Sequence, residues 1–473
     1  MLTAHTVEQI RAAERSLAER TGWDALMQRA AQGLADALDD IPAGEVVIVL
    51  VGPGNNGGDA LFAAAHLLDR GVRVDLCLLD AERAHPAGLA AAQAAGAQVV
   101  EAPTRQRYCI DALFGIGARP GLEGRAVEWA DWIAEQRPWT VAVDVPSGLD
   151  VDGATASGAH VVADLTVTFG TYKPALLIDP AASACGEVVL VDIGLDPYLD
   201  DPVLRVVEPL DADLLLAALP DASSHKYSRG VLGVRAGSAQ YAGAAHLCIA
   251  GAQAGLTGMI RFVGDDDLAT RVVDRAPEVV AGAGRVQAWV VGPGGGGAAA
   301  SALREVVQDG VPVVVDASAL DHLPESFDVP AVLTPHAGEL ARMLGTDRES
   351  VEARPWEHAR RAAEQWGATV LLKGPRTLVV RPDGGTSVNL SGTPWLGTAG
   401  AGDVLAGFIG SLLAAGLEPF DAGSLGAFLH GAAAVAANPG GPITASDVAA
   451  TLPGVVADFL AGDLLDVRRE DWA

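Results

Sequence analysis

The segment VVIVLVGPGNNGGDALFAAAHLLD, residues 46–69, decides the fold class. It opens within an almost continuous apolar run, residues 45–51, which is typical of a strand buried on both faces of a parallel sheet. The glycine-rich turn GPGNNGGD follows at residues 52–59, and residues 60–69 have the composition of a helix. A strand, a glycine-rich turn and a helix in this order predict a βαβ unit, the building block of an α/β domain.

The same alternation continues along the chain. Thr6 and Gln9 form a capping box that opens a first helix, and helix-like and strand-like segments alternate up to residue 145. A second series of predicted strands follows the Asp- and Pro-rich residues 195–220, which we interpret as a linker: 231–236, 259–263, 288–291, 311–316, 331–334 and 369–373. We therefore predict two α/β domains, residues 1–210 and 211–473, each a three-layer α/β/α sandwich, the first Rossmann-like.

Composition and charge exclude several classes of partner. The 473 residues carry a net charge of −28, which repels nucleic acid and anionic membranes, so we predict neither as a partner. The four cysteines lie far apart without a C-x-x-C pair, as expected for reduced thiols in a cytoplasmic protein, and we predict no structural metal. The uncharged run 236–260 contains Gln and His, which favours a buried helix over a membrane span.

Three acidic residues follow predicted strands in the first domain. Asp59 ends the glycine-rich turn, Asp111 opens DALFGIG (residues 111–117), and Asp144 lies in VDVPSGLD (residues 143–150). A lone aspartate at a strand end is more often a helix cap. Three at successive strand ends indicate one crevice at the carboxyl edge of the sheet, where α/β domains bind their ligands.

These motifs resemble the NAD(P)H-hydrate epimerase family in order and spacing over roughly residues 5–215. The resemblance implies that Asn56, Asp111 and Ser147 hold a potassium ion; amide, carboxylate and hydroxyl oxygens suit such a hard cation. It also implies contacts to the hydrated dinucleotides NADHX and NADPHX from Asn55, Asn56, Gly57, Gly58, Asp59, Gly115, Ile116, Gly117, Ala118, Arg119, Pro120, Gly121 and Asp144.

Epimerisation at the hydrated ring carbon needs proton transfer to and from oxygen, and Asp59 and Asp144 are the predicted catalytic carboxylates. A role for Asp59 as a simple helix cap stays open. Lys173, in FGTYKPAL, matches a lysine of the family, and the sequence leaves open whether it is a site residue or a solvated surface charge. Ala60 is a departure, since the family usually has glycine there.

The strongest motif of the second half is GTAGAGD, residues 397–403, before a helical run. Small residues at a helix N-terminus form an anion hole for a phosphoryl group, and Asp403 at its mouth can take the proton from an attacking hydroxyl. GAGD before a helix resembles the ribokinase-like fold. We therefore predict a ribokinase-like α/β/α sandwich for the second domain, with Asp403 as its catalytic base.

The motifs at residues 225–230, 291–294, 334–339, 373–377 and 443–453 resemble those of the ADP- or ATP-dependent NAD(P)H-hydrate dehydratase family. The resemblance implies adenine-nucleotide contacts from Lys373, Gly374, Pro375, Arg376, Thr377 and Gly402. It implies contacts to the hydrated dinucleotide from Ala244, Gly294, His336 and Asp403. His336 alone would more often be structural, and the TPHAGE context favours the site. Residues 295–297 are glycines where the family usually has a leucine, and HKYSRG replaces the usual Asn-Lys-Gly. The resemblance therefore leaves the contacts of individual residues in these two segments open.

The predicted function is repair: the first domain epimerises R and S hydrates, and the second dehydrates the S form using ADP (or ATP), giving AMP and phosphate from ADP. Potassium is expected in the first domain and Mg²⁺ on the nucleotide of the second, with Glu339 as an acid near the Mg²⁺ that does not bind it directly. We also predict a homo-oligomer. The alternative is a ribokinase-like small-molecule kinase with a non-catalytic nucleotide-binding N-terminal module, because GAGD alone fits any such phosphotransferase.

Overall fold

The computed structural model describes residues 2–464, apart from the side chain of Ala217. The chain divides into two compact units, one formed by Thr3–Leu204 and one by the residues from Arg205 onward. The division falls inside the predicted linker, which contains a short strand and two 3₁₀ helices, Asp196–Tyr198 and Ala212–Ala218. The domain boundary between residues 210 and 211 stays a prediction, and residues 465–473 of the second domain lie outside the described residues.

The elements up to residue 145 alternate as the sequence predicts, and two further strands and a short helix follow before Leu204. The strands are β1 (Leu2–Ala4), β2 (Val46–Val51), β3 (Arg73–Leu78), β4 (Gln98–Val100), β5 (Tyr108–Ala112), β6 (Trp139–Val143), β7 (Leu165–Phe169) and β8 (Glu187–Val191). The helices are α1 (Val7–Thr21), α2 (Trp23–Asp36), α3 (Asn55–Asp69), α4 (Pro86–Ala95), α5 (Arg125–Gln136) and α6 (Pro174–Leu177). Helix α1 begins at the predicted capping box, in which Thr6 accepts from the Gln9 N–H at 3.3 Å.

Within the described residues, a sheet of seven parallel strands has the order β4-β3-β2-β5-β6-β7-β8. Val47 and Val49 face one core, which includes residues of α1, α2 and α3, and Ile48 and Leu50 face another, which includes Trp129 of α5. Helices therefore cover both faces. The order of the strands reverses between β2 and β5, and this is where open α/β sheets form a ligand crevice.

The second unit contains a longer sheet. Its strands are β9 (Leu204–Val206), β10 (Val231–Arg235), β11 (Met259–Phe262), β12 (Val280–Ala281), β13 (Ala288–Val291), β14 (Val313–Val315), β15 (Ala331–Leu333), β16 (Thr369–Leu372), β17 (Thr377–Val380) and β18 (Thr386–Asn389). Strands β10 to β18 have the order β18-β17-β16-β15-β14-β13-β10-β11-β12. In this order, all neighbouring strands between β16 and β12 pair in parallel, and β16, β17 and β18 form an antiparallel meander. The sequence did not predict the meander.

Nine helices surround this sheet within the described residues: α7 (Ala242–Gln253), α8 (Asp266–Arg275), α9 (Ala299–Gln308), α10 (Ala337–Leu344), α11 (Arg348–Ala353), α12 (Pro355–Trp366), α13 (Ala401–Ala414), α14 (Pro419–Ala437) and α15 (Ala445–Ala461). Helices α7, α13, α14 and α15 share one apolar core, whereas α9 and α12 contact β13 and β16 from outside that core. The prediction of two α/β domains is confirmed. Among the described residues we find no helix with both the length and the apolar character needed to cross a membrane.

Candidate active sites

A cleft of about 780 Å³ opens at the carboxyl edge of the first sheet. Most of the residues predicted to contact the dinucleotide line it: Asn55, Asn56, Asp59, Gly115, Ile116, Gly117, Ala118, Arg119, Pro120, Gly121 and Asp144. Gly57 and Gly58, also predicted as contacts, are buried in the first turn of α3 and are not among the lining residues. A Cβ at Gly57 would collide with the Gly52 carbonyl, so this glycine allows close approach of backbone to backbone.

Asp144 and Lys173 form a buried ion pair in this cleft. The Lys173 ammonium donates to Asp144 Oδ1 at 2.6 Å, to Thr168 Oγ1 at 2.8 Å and to the Phe169 carbonyl at 2.9 Å. Only 1% of Lys173 is exposed, which excludes the solvated surface charge that the sequence left open. Thr168 also donates to Oδ1. The other oxygen of Asp144, Oδ2, has no hydrogen-bond partner among the described residues. This oxygen is free to act on a ligand.

Asp59 lies in α3, whose N-cap is Gly54, so it does not cap the helix. No hydrogen bond or ion pair involves its side chain within the described residues. Burial raises the pKa of Asp59 well above its ordinary value, and the carboxylates of Asp144 and Glu14 raise it further. The cleft therefore holds one carboxyl whose burial favours the protonated form and another that is paired with an ammonium group. Such a pair can donate and accept protons in one reaction.

Asp111, Ser147 and Asn56, the predicted potassium ligands, are near neighbours. Asp111 is buried and accepts from the Ser147 N–H at 2.8 Å, the Ser147 hydroxyl at 2.7 Å and the Leu113 N–H at 3.2 Å. Ser147 accepts from the Phe114 N–H, and the Asn56 amide lies against the adjacent Gly115, 3.0 Å from the position of a Cβ there. Burial raises the pKa of Asp111 to about 6, although its hydrogen bonds to Ser147 and Leu113 lower it. The Asn56 Nδ2 atom is buried without a partner.

A second cleft, of about 440 Å³, lies at the N-terminus of α13 in the second unit. Five of the predicted nucleotide contacts line it: Lys373, Gly374, Pro375, Thr377 and Gly402. Arg376, also predicted, is not among the lining residues. Gly400 precedes the helix with φ +90°, so no side chain obstructs the backbone N–H groups at its start. The geometry is that of the predicted anion hole.

Asp403 lies in the first turn of α13, next to a buried charge network. Lys373 donates to Asp316 Oδ1 at 2.9 Å, and its ammonium lies 3.9 Å from Glu339 Oε2. Burial raises the pKa of Asp403 to about 7; the Asp316 carboxylate raises it as well, and Lys373 lowers it. Burial lowers the pKa of Lys373, but the carboxylates of Asp316 and Glu339 outweigh burial and raise it overall. Asp403 is thus poised to exchange a proton near neutral pH.

The residues predicted to hold the hydrated dinucleotide in the second unit differ in their surroundings: Ala244 and Gly294 are neighbours, whereas His336 caps a helix. Ala244 and Gly294 are adjacent, since a Cβ at Gly294 would lie 2.6 Å from the Ala244 Cβ. His336 is the N-cap of α10, where its Nδ1 accepts from the Glu339 N–H at 3.2 Å and Glu339 Oε2 accepts from the His336 N–H at 2.8 Å. The His336 side chain is 56% exposed. It therefore has a structural role as a cap, and its Nε2 atom lies 3.6 Å from Glu339 Oε2.

Two family models match the chain: NAD(P)H-hydrate dehydratase over residues 232–453, and YjeF-related protein N-terminus over residues 23–175. The bifunctional NAD(P)H-hydrate repair enzyme Nnr of Mycobacterium leprae is 42% identical over 464 residues, covering 92% of this chain and 94% of that protein. The chain belongs to the bifunctional NAD(P)H-hydrate repair enzyme family. The protein of the same name from Mycobacterium tuberculosis strain H37Rv is 41% identical, covering 88% of this chain and 90% of that one.

A solved structure is similar to about half of the chain. The ADP/ATP-dependent NAD(P)H-hydrate dehydratase from Bacillus subtilis, co-crystallised with ATP and Mg²⁺, is 29% identical and covers 51% of this chain and 93% of that one, with a TM-score of 0.48. Family membership confirms the predicted family and the predicted class of bifunctional enzyme. It disfavours the alternative of a small-molecule kinase with a non-catalytic N-terminal module.

Three further residues that the sequence did not predict lie in the repair enzyme's clefts or beside them. Glu14 of α1 lines the first cleft, and burial together with Asp144 raises its pKa, against the effect of Lys173. Asp316 follows β14 as the other strand-end aspartates follow their strands, and this signal could have identified it. His430 of α14 lines the second cleft; burial lowers its pKa to about 4, so it is neutral at physiological pH.

Proposed function

We propose that the first unit interconverts the R and S forms of hydrated NADH and NADPH, and that the second unit dehydrates the S form at the expense of ADP or ATP. The observation that carries the second assignment is Asp403 in the first turn of α13, with a pKa raised by burial to about 7. For the first unit it is the presence in one cleft of Asp59, whose pKa burial raises well above its ordinary value, and of the free Oδ2 of Asp144. The predicted homo-oligomer and cytoplasmic location remain predictions.

For epimerisation, the ring hydroxyl must leave and return on the opposite face. Asp59 donates its proton to the hydroxyl, which leaves as water, while the ring nitrogen shares its electron pair with the carbon to form an iminium ion. Water then adds to the other face of that carbon, and a carboxylate, Asp144, takes the proton released. Lys173 keeps the Asp144 carboxylate in place at 2.6 Å.

For dehydration, Asp403 takes the proton of the ring hydroxyl as the hydroxyl oxygen attacks the terminal phosphorus of the nucleotide. The bond from that phosphorus to the bridging oxygen breaks, and the rest of the nucleotide leaves, which is AMP when the nucleotide is ADP. The bond from the ring carbon to the phosphorylated oxygen then breaks, and inorganic phosphate departs, a better leaving group than hydroxide. The neighbouring ring carbon loses a proton to water or to the departing phosphate, and the new carbon–carbon double bond restores the dihydronicotinamide. Lys373 and the N–H groups at the start of α13 stabilise negative charge on the phosphoryl oxygens.

Two ions are implied. Potassium fits Asn56, Asp111 and Ser147, because a cation would compensate the buried Asp111 charge, and rotating the Asn56 amide would direct its oxygen to the place of the unpartnered Nδ2. Mg²⁺ would neutralise phosphate charge on the nucleotide. No cluster of three or more His, Cys, Asp or Glu side chains able to hold a metal occurs in the described part of the chain, which fits an ion bound largely through phosphates. Glu339, the acid predicted to lie near the Mg²⁺, accepts a hydrogen bond from the His336 N–H.

We expect epimerisation to depend on potassium. Exchanging it for tetramethylammonium should lower the epimerisation rate about tenfold or more and lower the Tm, because a ligand of the folded state alone stabilises that state. Asp111→Asn keeps the shape of the side chain but removes its charge, and should abolish both responses to potassium. Dehydration serves as the internal control. Equal epimerisation rates and equal Tm values in the two cations would show that the ion assignment is wrong.

The pH dependence of dehydration should follow Asp403. A base acts only when deprotonated, and because burial raises its pKa to about 7, kcat/KM for the hydrate should rise with pH and level off above about pH 8. Asp316→Asn removes a carboxylate that raises this pKa, so the midpoint should move to lower pH. Initial rates between about pH 5.5 and 9 give both midpoints. A flat wild-type profile, or a midpoint displaced upward in the variant, would contradict the assignment.

A further inference from the structure

Three arginines line the cleft of the first unit. Arg11 lies on α1, Arg83 follows β3, and Arg119 lies in the loop after β5. All three are exposed, and among residues 2–464 none of their side chains makes a hydrogen bond or an ion pair. Arg11 and Arg83 have no part in the acid–base chemistry proposed above. Their guanidinium groups are available to a ligand.

The charge of this cleft differs from that of the chain. The chain has 32 Lys and Arg residues against 60 Asp and Glu residues. The cleft is lined by the three arginines and Lys173, with four acids: Glu14, Asp59, Glu123 and Asp144. The cleft therefore balances its four acids with four basic groups, whereas acids greatly outnumber basic residues in the chain as a whole. Lys173 is paired with Asp144, and the three arginines have no ion-pair partner among residues 2–464, so their guanidinium groups suit an anionic ligand.

Arg11 is held against the loop of residues 115–121. Its Nη2 atom lies 2.7 Å from the position that a Cβ of Gly117 would occupy, so the guanidinium rests on the backbone of that loop. Any side chain at residue 117 would displace it. Helix α3 also points its N-terminus at the cleft, where Asn55 and Asn56 are lining residues and no side chain caps the helix. A helix N-terminus and a guanidinium group are two common partners of phosphate in proteins.

We infer, on the basis of the epimerase function proposed above, that Arg11 binds a phosphate group of the hydrated dinucleotide, with Arg83 and Arg119 adding to the positive potential of the cleft. The ligand chemistry is a phosphoryl oxygen. The dinucleotide offers it from two places: the diphosphate bridge, which both hydrates carry, and the 2′-phosphate, which only hydrated NADPH carries. In either case the arginine binds substrate at a distance from the reacting carbon.

Arg11→Ala tests this inference, with Arg15→Ala as the matched control. Arg15 lies four residues later on α1, is also exposed and is not a lining residue of the cleft. In the full-length enzyme, Arg11→Ala should raise KM for epimerisation about tenfold or more, the size of one lost charge-assisted hydrogen bond, with kcat within about twofold. Arg15→Ala should match the wild type. The dehydration rate of the S hydrate and the circular dichroism spectrum report that both variants fold.

Comparing the two hydrates identifies the phosphate. A rise in KM for both hydrated NADH and hydrated NADPH supports binding of the diphosphate bridge, and a rise for hydrated NADPH alone supports binding of the 2′-phosphate. The inference is overturned if KM does not change, if kcat falls instead, or if Arg15→Ala behaves like Arg11→Ala. If the wild type does not interconvert the R and S forms at all, the proposed epimerase function fails, and the inference fails with it.

Discussion

Asp403→Asn should abolish dehydration while leaving epimerisation at the wild-type rate. The variant keeps the shape of the side chain and loses only the ability to accept the hydroxyl proton, so the rate should fall roughly 10²-fold or more, as for loss of a general base. Asp316, a buried carboxylate that raises the pKa of Asp403, is fixed in place by the bonds that its Oδ1 accepts from Lys373 and Thr334. Recovery of dihydronicotinamide absorbance from the S hydrate with ADP or ATP measures the loss.

Folding and nucleotide binding are the controls for this variant. Asp403 lies in the first turn of α13, where a negative charge stabilises the helix by about 0.3–1 kcal/mol, so the variant should fold. Nucleotide binding should persist, because Lys373 and the α13 N–H groups are unchanged. An Asp403→Asn enzyme that dehydrates within about tenfold of the wild-type rate would show that another group is the base.

The central strands of both sheets could be predicted closely because their sequence signal is local, whereas β7 and β8 at one edge of the first sheet were not predicted. Buried parallel strands are continuous apolar runs, and residues 46–51 form a strand where the apolar run lies. The start of α3 could not be predicted, since the helix begins at Asn55 and residues 52–59 were expected to form the turn. Glycines favour turns locally. Here Gly58 lies in the helix because α4 packs against it, with His85 3.0 Å from the position of a Cβ.

The β17-β18 hairpin was missed for a similar reason. Its strands are four residues each, Thr377–Val380 and Thr386–Asn389, and they join the sheet in antiparallel pairing after a series of parallel strands. Short strands give a weak periodic signal. Asn389 and Ser391, at the end of this hairpin, hydrogen bond to the Ala427 and Phe428 carbonyls of α14. These contacts join distant segments, and a reading of local sequence does not contain them.

The motifs located the aspartates of both clefts but not the groups that set their charge. Lys173 lies 29 residues from Asp144, and its burial follows from the approach of the segment after β7 to the end of β6. Glu14 comes from α1, far from any motif, and reaches the same cleft. Asp316 could have been predicted from the sequence, since it directly follows an apolar strand, as Asp144 does. A residue's type could be predicted from its motif; its protonation depends on neighbours that only the fold brings together.

Asp144→Asn should abolish epimerisation and spare dehydration. Asp144 has φ +68°, in the left-handed region that asparagine tolerates better than most residues, so the substitution adds little backbone strain. The asparagine oxygen can still accept from Lys173, so the ammonium group keeps a hydrogen-bond partner although it loses its counter-charge. The variant should therefore lose some stability, but less than one that also removes the hydrogen bonds, and it lacks the carboxylate whose free Oδ2 takes the proton from water.

The rate of interconversion of the R and S hydrates, followed by chromatography, should therefore fall roughly 10²-fold or more, the effect expected for a general base. Asp59→Asn should show a comparable loss because it removes the partner acid. Lys173→Met is the contrasting change: it leaves the Asp144 charge buried without its ion pair, so it should lower the free energy of unfolding by about 3–5 kcal/mol as well as the rate. Urea unfolding separates the two classes. If Asp144→Asn unfolds as early as Lys173→Met, or loses dehydration together with epimerisation, Asp144 acts through the structure and not as the base.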